Sequence, residues 1–248
     1  MQPHNIVSRE EWIAARKAHL AHEKEYTRAR DRLSAERRAL PWVKVDKTYA
    51  FDGPGGKQTL ADLFAGRSQL VVQHFMFAPD WDEGCPSCTA TADEVSEGLL
   101  DHLNSRGTTL AFVSRAPQSK LERFQRRKGW SMPWYSSYGT TFNYDFHVTL
   151  DDAVAPIEYN YRTPVEHEVA GSAYYLMGRQ PIEEHGHSCF LRDGDTVFHT
   201  YSMYARGCET LGGSYYYLDL TALGRQEEWE EPKGRAVDPR TASPDFSA

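Results

Sequence analysis

Gln69–Cys88 reads QLVVQHFMFAPDWDEGCPSC: an apolar run, a turn, and two cysteines in the order Cys85-Pro86-Ser87-Cys88. The apolar run has the length of a buried strand. Pro86 suits the first turn of a helix, where a proline gives up no helical hydrogen bond. The pair is therefore expected just beyond a strand, at the start of a helix. A helix N-terminus offers unpaired N–H groups and a partial positive charge. That field stabilises a thiolate, which makes the first cysteine a nucleophile or a soft-metal ligand.

Working outward, Ser8 and Glu11 form a capping-box start, and neither Gly nor Pro interrupts the chain until Pro41. One long charged helix is expected over about 8–40, with Trp12, Leu20, Tyr26 and Leu33 as a thin apolar stripe for the body or for a partner subunit in a homodimer. Trp42–Phe51 alternates and meets Gly53-Pro54-Gly55-Gly56, a hairpin signal. A short helical turn at Thr59–Phe64 leads to strand 69–77, the cysteine turn and a helix to about Leu103. Thr108–Val113 reads as a second apolar strand, followed by a basic helix to Gly129. Strand–helix–strand–helix implies parallel strands with a right-handed crossover. Residues 130–185 show little periodicity and many aromatics, and are read as an insertion that covers or completes the site. Ser188–Arg192, the turn Asp193-Gly194 and Thr196–Tyr201 form a β-hairpin. A closing helix is expected near Glu209–Arg225, and a Pro- and charge-rich flexible tail over 229–248. The domain reading is thus a helical extension over 1–41, a main domain over 42–228 and the tail.

The 248 residues can bury a real core, and the formal charge of −7 argues against nucleic acid as a partner. No run approaches the roughly 18 apolar residues of a membrane span, and the N-terminus lacks the apolar core of a signal peptide. A cytoplasmic location follows as an expectation. There, a close cysteine pair is more often catalytic or metal-binding than structural. Four cysteines, Cys85, Cys88, Cys189 and Cys208, are too few for a disulfide scaffold.

The order of elements, with Cys-x-x-Cys after the first central strand, is that of an α/β thioredoxin-like fold, here with a long N-terminal helix and an aromatic-rich insertion. The stretches HFMFAPDWDEGCPSC, FVSRAP, FNYDFHV, FLRDGDTVFHTYSMYARG and YLDLTALGRQEE carry a closer resemblance. The chain resembles a bacterial thioredoxin-like family of unknown function, often labelled dithiol-disulfide isomerases. The resemblance implies the fold, and a label that itself derives from the fold. Thioredoxins place a cis-proline immediately before the hairpin, facing the cysteines. Counted back from strand 188–192, that position falls on or next to His187, where no proline stands. Sco-type copper chaperones resemble this arrangement, with paired cysteines and a histidine before the hairpin.

Two chemistries follow. In the first, Cys85 attacks a small-molecule or protein disulfide, or a peroxide-type substrate, and Cys88 resolves the mixed disulfide. Asp80, Asp82 and Glu83 would then raise the thiol pKa. In the second, Cys85, Cys88 and His187 ligate copper, with zinc second, as a carrier or an oxidase, since thiolate and imidazole suit these metals. His187 and Cys189, two residues apart, should share a sheet face. Arg115, at the carboxyl end of a central strand, is a candidate for a substrate carboxylate or thiolate. Trp81, Trp134 and Tyr135 are candidate pocket walls beside the cysteines. His74 is expected to be a core histidine bonded to a backbone carbonyl, and Cys208 a buried thiol.

Overall fold

The capping box at the N-terminus forms as its residues dictate. Ser8 Oγ accepts from the Glu11 N–H, the Glu11 carboxylate accepts from the Ser8 N–H, and the helix α1 runs from Arg9–Arg38. The computed structural model describes residues 5–208 with Gly213 and Leu220. The expected closing helix, the motif YLDLTALGRQEE and the tail lie outside the described residues, apart from Leu220. The chain divides at Pro41 into two units, and α1 makes up most of the first. None of its residues is buried, and Trp12, Leu20, Tyr26 and Leu33 all remain exposed.

The second unit is built on one eight-stranded sheet. Its strands are β1 (Val43–Lys44), β2 (Ala50–Gly53), β3 (Gly56–Thr59), β4 (Gln69–His74), β5 (Thr108–Ser114), β6 (Trp134–Ser136), and two more, which follow β7 (Thr149–Leu150) and β8 (Ile182–Glu183) in the chain. Those two are β9 (Gly186–Asp193) and β10 (Thr196–Tyr204). The sheet order is β1-β10-β9-β4-β5-β6-β2-β3, while β7 and β8 pair separately. β4, β5 and β6 are parallel, and β9 runs antiparallel to β4. Two-residue turns close both hairpins, with register Gly53↔Gly56 and Asp193↔Thr196.

Between the strands lie α2 (Pro86–Asp93), α3 (Glu97–Asn104), α4 (Gln118–Lys128), α5 (Phe142–Asp145) and α6 (Pro164–Val169). The single helix expected after the cysteines is two. It stops at Glu94, and Ser96 starts α3 by accepting the Leu99 N–H on its hydroxyl. α4 ends as expected, with Gly129 in the left-handed conformation at φ 70°.

The period of two along the strands divides the core. Leu70, Val72, Ala111, Val113 and Tyr135 face one side, where they meet Phe51, Phe142 and Phe190. Phe112 and Trp134 face the other side and pack with Phe75, Phe77, Leu121, Phe124 and Ala92. α2 and α4 thus cover the second face, and with them Cys88. The expected insertion is not one piece: β6 belongs to the main sheet, while Val148, Tyr159 and Leu150 join Tyr204 in a third cluster.

Candidate thiol site

The chain leaves β4 at His74 and turns at Pro79–Gly84 before α2. A Cβ on Gly84 would stand 2.5 Å from Phe75 Cε1, so only glycine lets the turn close onto that ring. Cys85 is the N-cap of α2 and Pro86 occupies the first turn. Met76 straps both cysteines to the end of β4. Its carbonyl accepts the Cys85 N–H at 3.0 Å, and its own N–H is directed at the Cys88 sulfur.

Cys85 is partly exposed and Cys88 is buried; neither is in a disulfide. The Cys88 thiol hydrogen-bonds to the Cys85 sulfur. This bond, with the N–H groups of Cys88 and Ser87 and the charge of His185, lowers the Cys85 pKa to about 6 against the opposing pull of burial. The same shared proton, together with burial and the charges of Cys85 and Glu184, pushes Cys88 well above the usual thiol range. The pair therefore holds one proton on the inner sulfur and an anion on the outer one. This reverses the expectation that Asp80, Asp82 and Glu83 would raise the attacking thiol. Glu83 is held by Arg127, and the Cys88 thiol with the N–H groups at the helix start sets the direction for Cys85.

The other sequence candidates separate. Trp81 is partly buried and packs against the same apolar cluster as Cys85. Trp134 is 1% exposed; its indole N–H donates to Ser114 Oγ at 3.0 Å, which makes it core. Tyr135 follows it in β6 and therefore points to the opposite face of the sheet, against Tyr49 and Phe142. Neither walls a pocket for the cysteines. Arg115 does lie at the end of β5, with two of its three guanidinium nitrogens committed to neighbouring side chains. Its Nε donates to Glu183 Oε1 at 2.6 Å and its Nη1 to Tyr144 Oη at 2.6 Å. Thr149 Oγ1 donates to the second Glu183 oxygen at 2.9 Å. This buried cluster fastens β8 to the end of β5. Burial raises the Glu183 pKa even with Arg115 beside it.

The histidines are also reassigned. β9 begins at Gly186, opposite His74, so His187 lies inside the strand opposite Gln73. The residue that precedes the hairpin is His185, two positions earlier than counting from the sequence placed it. His187 and Cys189 do share the cysteine side of the sheet, as their spacing requires. His187 is 5% exposed, its Nδ1 has no hydrogen-bond partner, and burial lowers its pKa to about 3. A metal ligand would need its donor converging with others. Among the described residues no three His, Cys, Asp or Glu side chains gather as a metal ion requires. The expected Cys85–Cys88–His187 ligand set is therefore not gathered as a three-residue group among the described residues.

His74 is a core histidine, but its partner is not a backbone carbonyl. Its Nε2 meets Ser188 Oγ at 2.8 Å, which meets Ser202 Oγ at 2.8 Å, which meets His199 Nε2 at 2.7 Å. Cys208 is a buried thiol that donates to the Met203 carbonyl at 3.6 Å. Sequence reasoning missed Met76 and Glu184. Met76 acts through its backbone, which no residue type announces. Glu184 carried one signal, its place in Glu183-Glu184-His185 immediately before the strand.

A parallel β4–β5 pair, an antiparallel β9–β10 hairpin beside β4, and Cys-x-x-Cys at the helix that follows β4 together define a thioredoxin-like protein. Residues 1–240 match the family described as bacterial protein of unknown function (DUF899), and the chain belongs to that family. Peroxiredoxin Q of Xanthomonas campestris is similar in structure, with 14% identity and a TM-score of 0.39, over 65% of this chain and 84% of that one. Peroxidoxin BcpB of Mycobacterium tuberculosis gives 15% identity and a TM-score of 0.38, over 68% and 92%. These likenesses concern the fold alone. No curated protein matches the sequence. No helix among the described residues is long and apolar enough to cross a membrane.

Proposed function

We propose that this protein is a thiol-disulfide oxidoreductase in which Cys85 attacks and Cys88 resolves. The observation that carries this reading is the division of labour at the helix start. The outer cysteine is partly exposed, and the Cys88 thiol with the N–H groups of Cys88 and Ser87 lowers its pKa to about 6, which favours a thiolate near neutral pH. The inner sulfur is buried and retains a proton. A thiolate with a pKa slightly below ambient pH is close to the best attacking group for disulfide exchange, because a lower pKa would cost nucleophilicity.

Attack by Cys85 on a substrate disulfide forms a mixed disulfide and expels one substrate thiolate. Cys88 then attacks Cys85 and expels the second, which leaves a Cys85–Cys88 disulfide. Trp81, partly buried against the same apolar cluster as Cys85, is the candidate apolar surface for the group attached to the substrate sulfur. The substrate is a small-molecule or protein disulfide that reaches the partly exposed Cys85.

The reading is tested by turnover of a low-molecular-weight disulfide with excess reductant. Cys85→Ser should abolish turnover. Cys88→Ser, treated with the disulfide in the absence of reductant, should stop after one step and accumulate a mixed disulfide on Cys85, visible as an added mass on the intact protein. Turnover by Cys85→Ser, or an adduct on Cys189 rather than Cys85, would overturn the assignment.

A further inference from the structure

The basic helix after β5 takes no part in the chemistry so far, yet it holds the segment that leads into the cysteines. Residues 78–84 carry the chain from beyond β4 to Cys85. Their backbone supplies one bond of its own, from the Trp81 N–H to the Ala78 carbonyl at 3.2 Å. Among the described residues, every hydrogen bond that ties this segment to the rest of the fold comes from α4. Lys120 Nζ donates to the Pro79 carbonyl at 2.9 Å and also to the Trp81 carbonyl. Arg127 holds the Glu83 carboxylate. Beyond them, Lys128 and the Trp130 indole N–H donate to Asp93, the last residue of α2, at 3.1 and 2.9 Å. α4 and its C-terminal turn thus splint the cysteine loop and the helix that follows it.

Lys120 is the member of this set that its own helix does not explain. It is the third residue of α4, and a cation in the first turn opposes the helix macrodipole. Arg126, Arg127 and Lys128 stand in the last turn, where the same dipole favours them. Lys120 forms no ion pair among the described residues. Its partly buried ammonium is held instead by two loop carbonyls, through charge-assisted hydrogen bonds, and by the Phe77 ring, whose centroid lies 5.8 Å away.

We infer that Lys120 is a positioning residue of the thiol site: by fixing the Pro79 and Trp81 carbonyls it sets Trp81 in place, and so selects disulfides that carry an apolar or aromatic group. This rests on the dithiol reading above. The Cys85 N–H is held separately, by the Met76 carbonyl at 3.0 Å. The two tasks therefore divide. β4 and the residues just beyond it place the sulfur, and α4 places the apolar surface that precedes it in the chain. Lys120 acts through the loop backbone.

The test compares two uncharged disulfides, aromatic dithiodipyridine and aliphatic hydroxyethyl disulfide, so that loss of the ammonium charge does not itself repel either. Reduced protein is mixed with an excess of each without reductant, and the surviving Cys85–Cys88 dithiol is counted by peptide mass after maleimide blocking. Lys120→Met should raise the half-saturating concentration of dithiodipyridine by about fivefold, the worth of one aromatic contact. The rise for hydroxyethyl disulfide should be smaller. Lys120→Arg, whose guanidinium can donate to both carbonyls, should restore about half of the loss or more. Independently of turnover, the Trp81 amide should exchange its hydrogen about tenfold faster in Lys120→Met, the worth of one charge-assisted hydrogen bond. An equal rise for both disulfides, an arginine variant no better than the methionine one, or unchanged Trp81 exchange would overturn the inference. Wild-type protein that reacts with neither disulfide, yet shows the faster Trp81 exchange on losing Lys120, would defeat the dithiol reading and leave the hold on the loop standing.

Discussion

Arg115→Met should destabilise the protein by about 3–5 kcal/mol at pH 7, the cost of leaving one member of a buried ion pair without its partner. The side chains of Arg115 and Glu183 are 13% and 2% exposed, so water cannot replace the lost contact. The carboxyl of Glu183 is already pushed up by burial with Arg115 in place. Removing the guanidinium raises it further. A carboxyl whose folded pKa lies above its unfolded value favours folding below the unfolded pKa, and that contribution is lost as pH rises through the folded one. The penalty of Arg115→Met should therefore grow from about pH 4 toward neutrality and be relieved in mild acid. A second change, Glu183→Leu, should recover most of the loss, because both charges then leave together. Urea denaturation of the two variants across pH checks this. A loss below about 1 kcal/mol, within the range of a surface pair, would show that the cluster does not fasten β8 to the sheet.

The second large effect is acid destabilisation by buried imidazoles. His74 and His187 are both held near pKa 3, chiefly by burial, and each has an Nδ1 with no hydrogen-bond partner. The unfolded chain takes up their protons near pH 6.5, while the folded chain refuses them until about pH 3. Folding is therefore penalised as pH falls through that window. Each histidine contributes a slope approaching about 1.4 kcal/mol per pH unit, so the pair removes about 4 kcal/mol by pH 5. Burial also lowers His199, which adds to the same trend. The denaturation midpoint should fall steeply between pH 6.5 and 5, above the range in which Asp62 and Asp145 protonate. His74→Gln should remove about half of that slope. A midpoint that stays flat between pH 6.5 and 5 would mean that these imidazoles are hydrated in solution.

What could be read from the sequence was what local chemistry decides. Ser8 and Glu11 cap their helix, Gly53-Pro54-Gly55-Gly56 turns its hairpin, and Pro86 starts the helix that carries Cys88. Each of these rests on residues within four positions of one another. The errors came from pairing across distance. Whether β9 starts at Gly186 or at Ser188 depends on its partner β4, more than one hundred residues away in the chain, and that difference moved the candidate histidine from His185 to His187. The residue type and end-of-strand position of Arg115 suggested a ligand site, but its partner Glu183 lies in β8, 68 residues away in the chain. Trp134 and Tyr135 looked alike as aromatics near the site. Only the placement of β6 between β5 and β2 shows that they point to opposite faces. The placement of the cysteine pair was legible because a helix start is a local feature. The residues that surround the pair, such as Met76, were not.

The account stands on Cys85 as the thiolate of an unequal pair, and its reactivity across pH measures that directly. Alkylation by iodoacetamide from pH 4 to 10, with peptide mass spectrometry to assign each adduct, should show Cys85 titrating with a midpoint near 6, while Cys88 stays unmodified until the protein unfolds. A midpoint near the ordinary thiol value of about 8.5, or modification of Cys88 ahead of Cys85, would contradict the central claim.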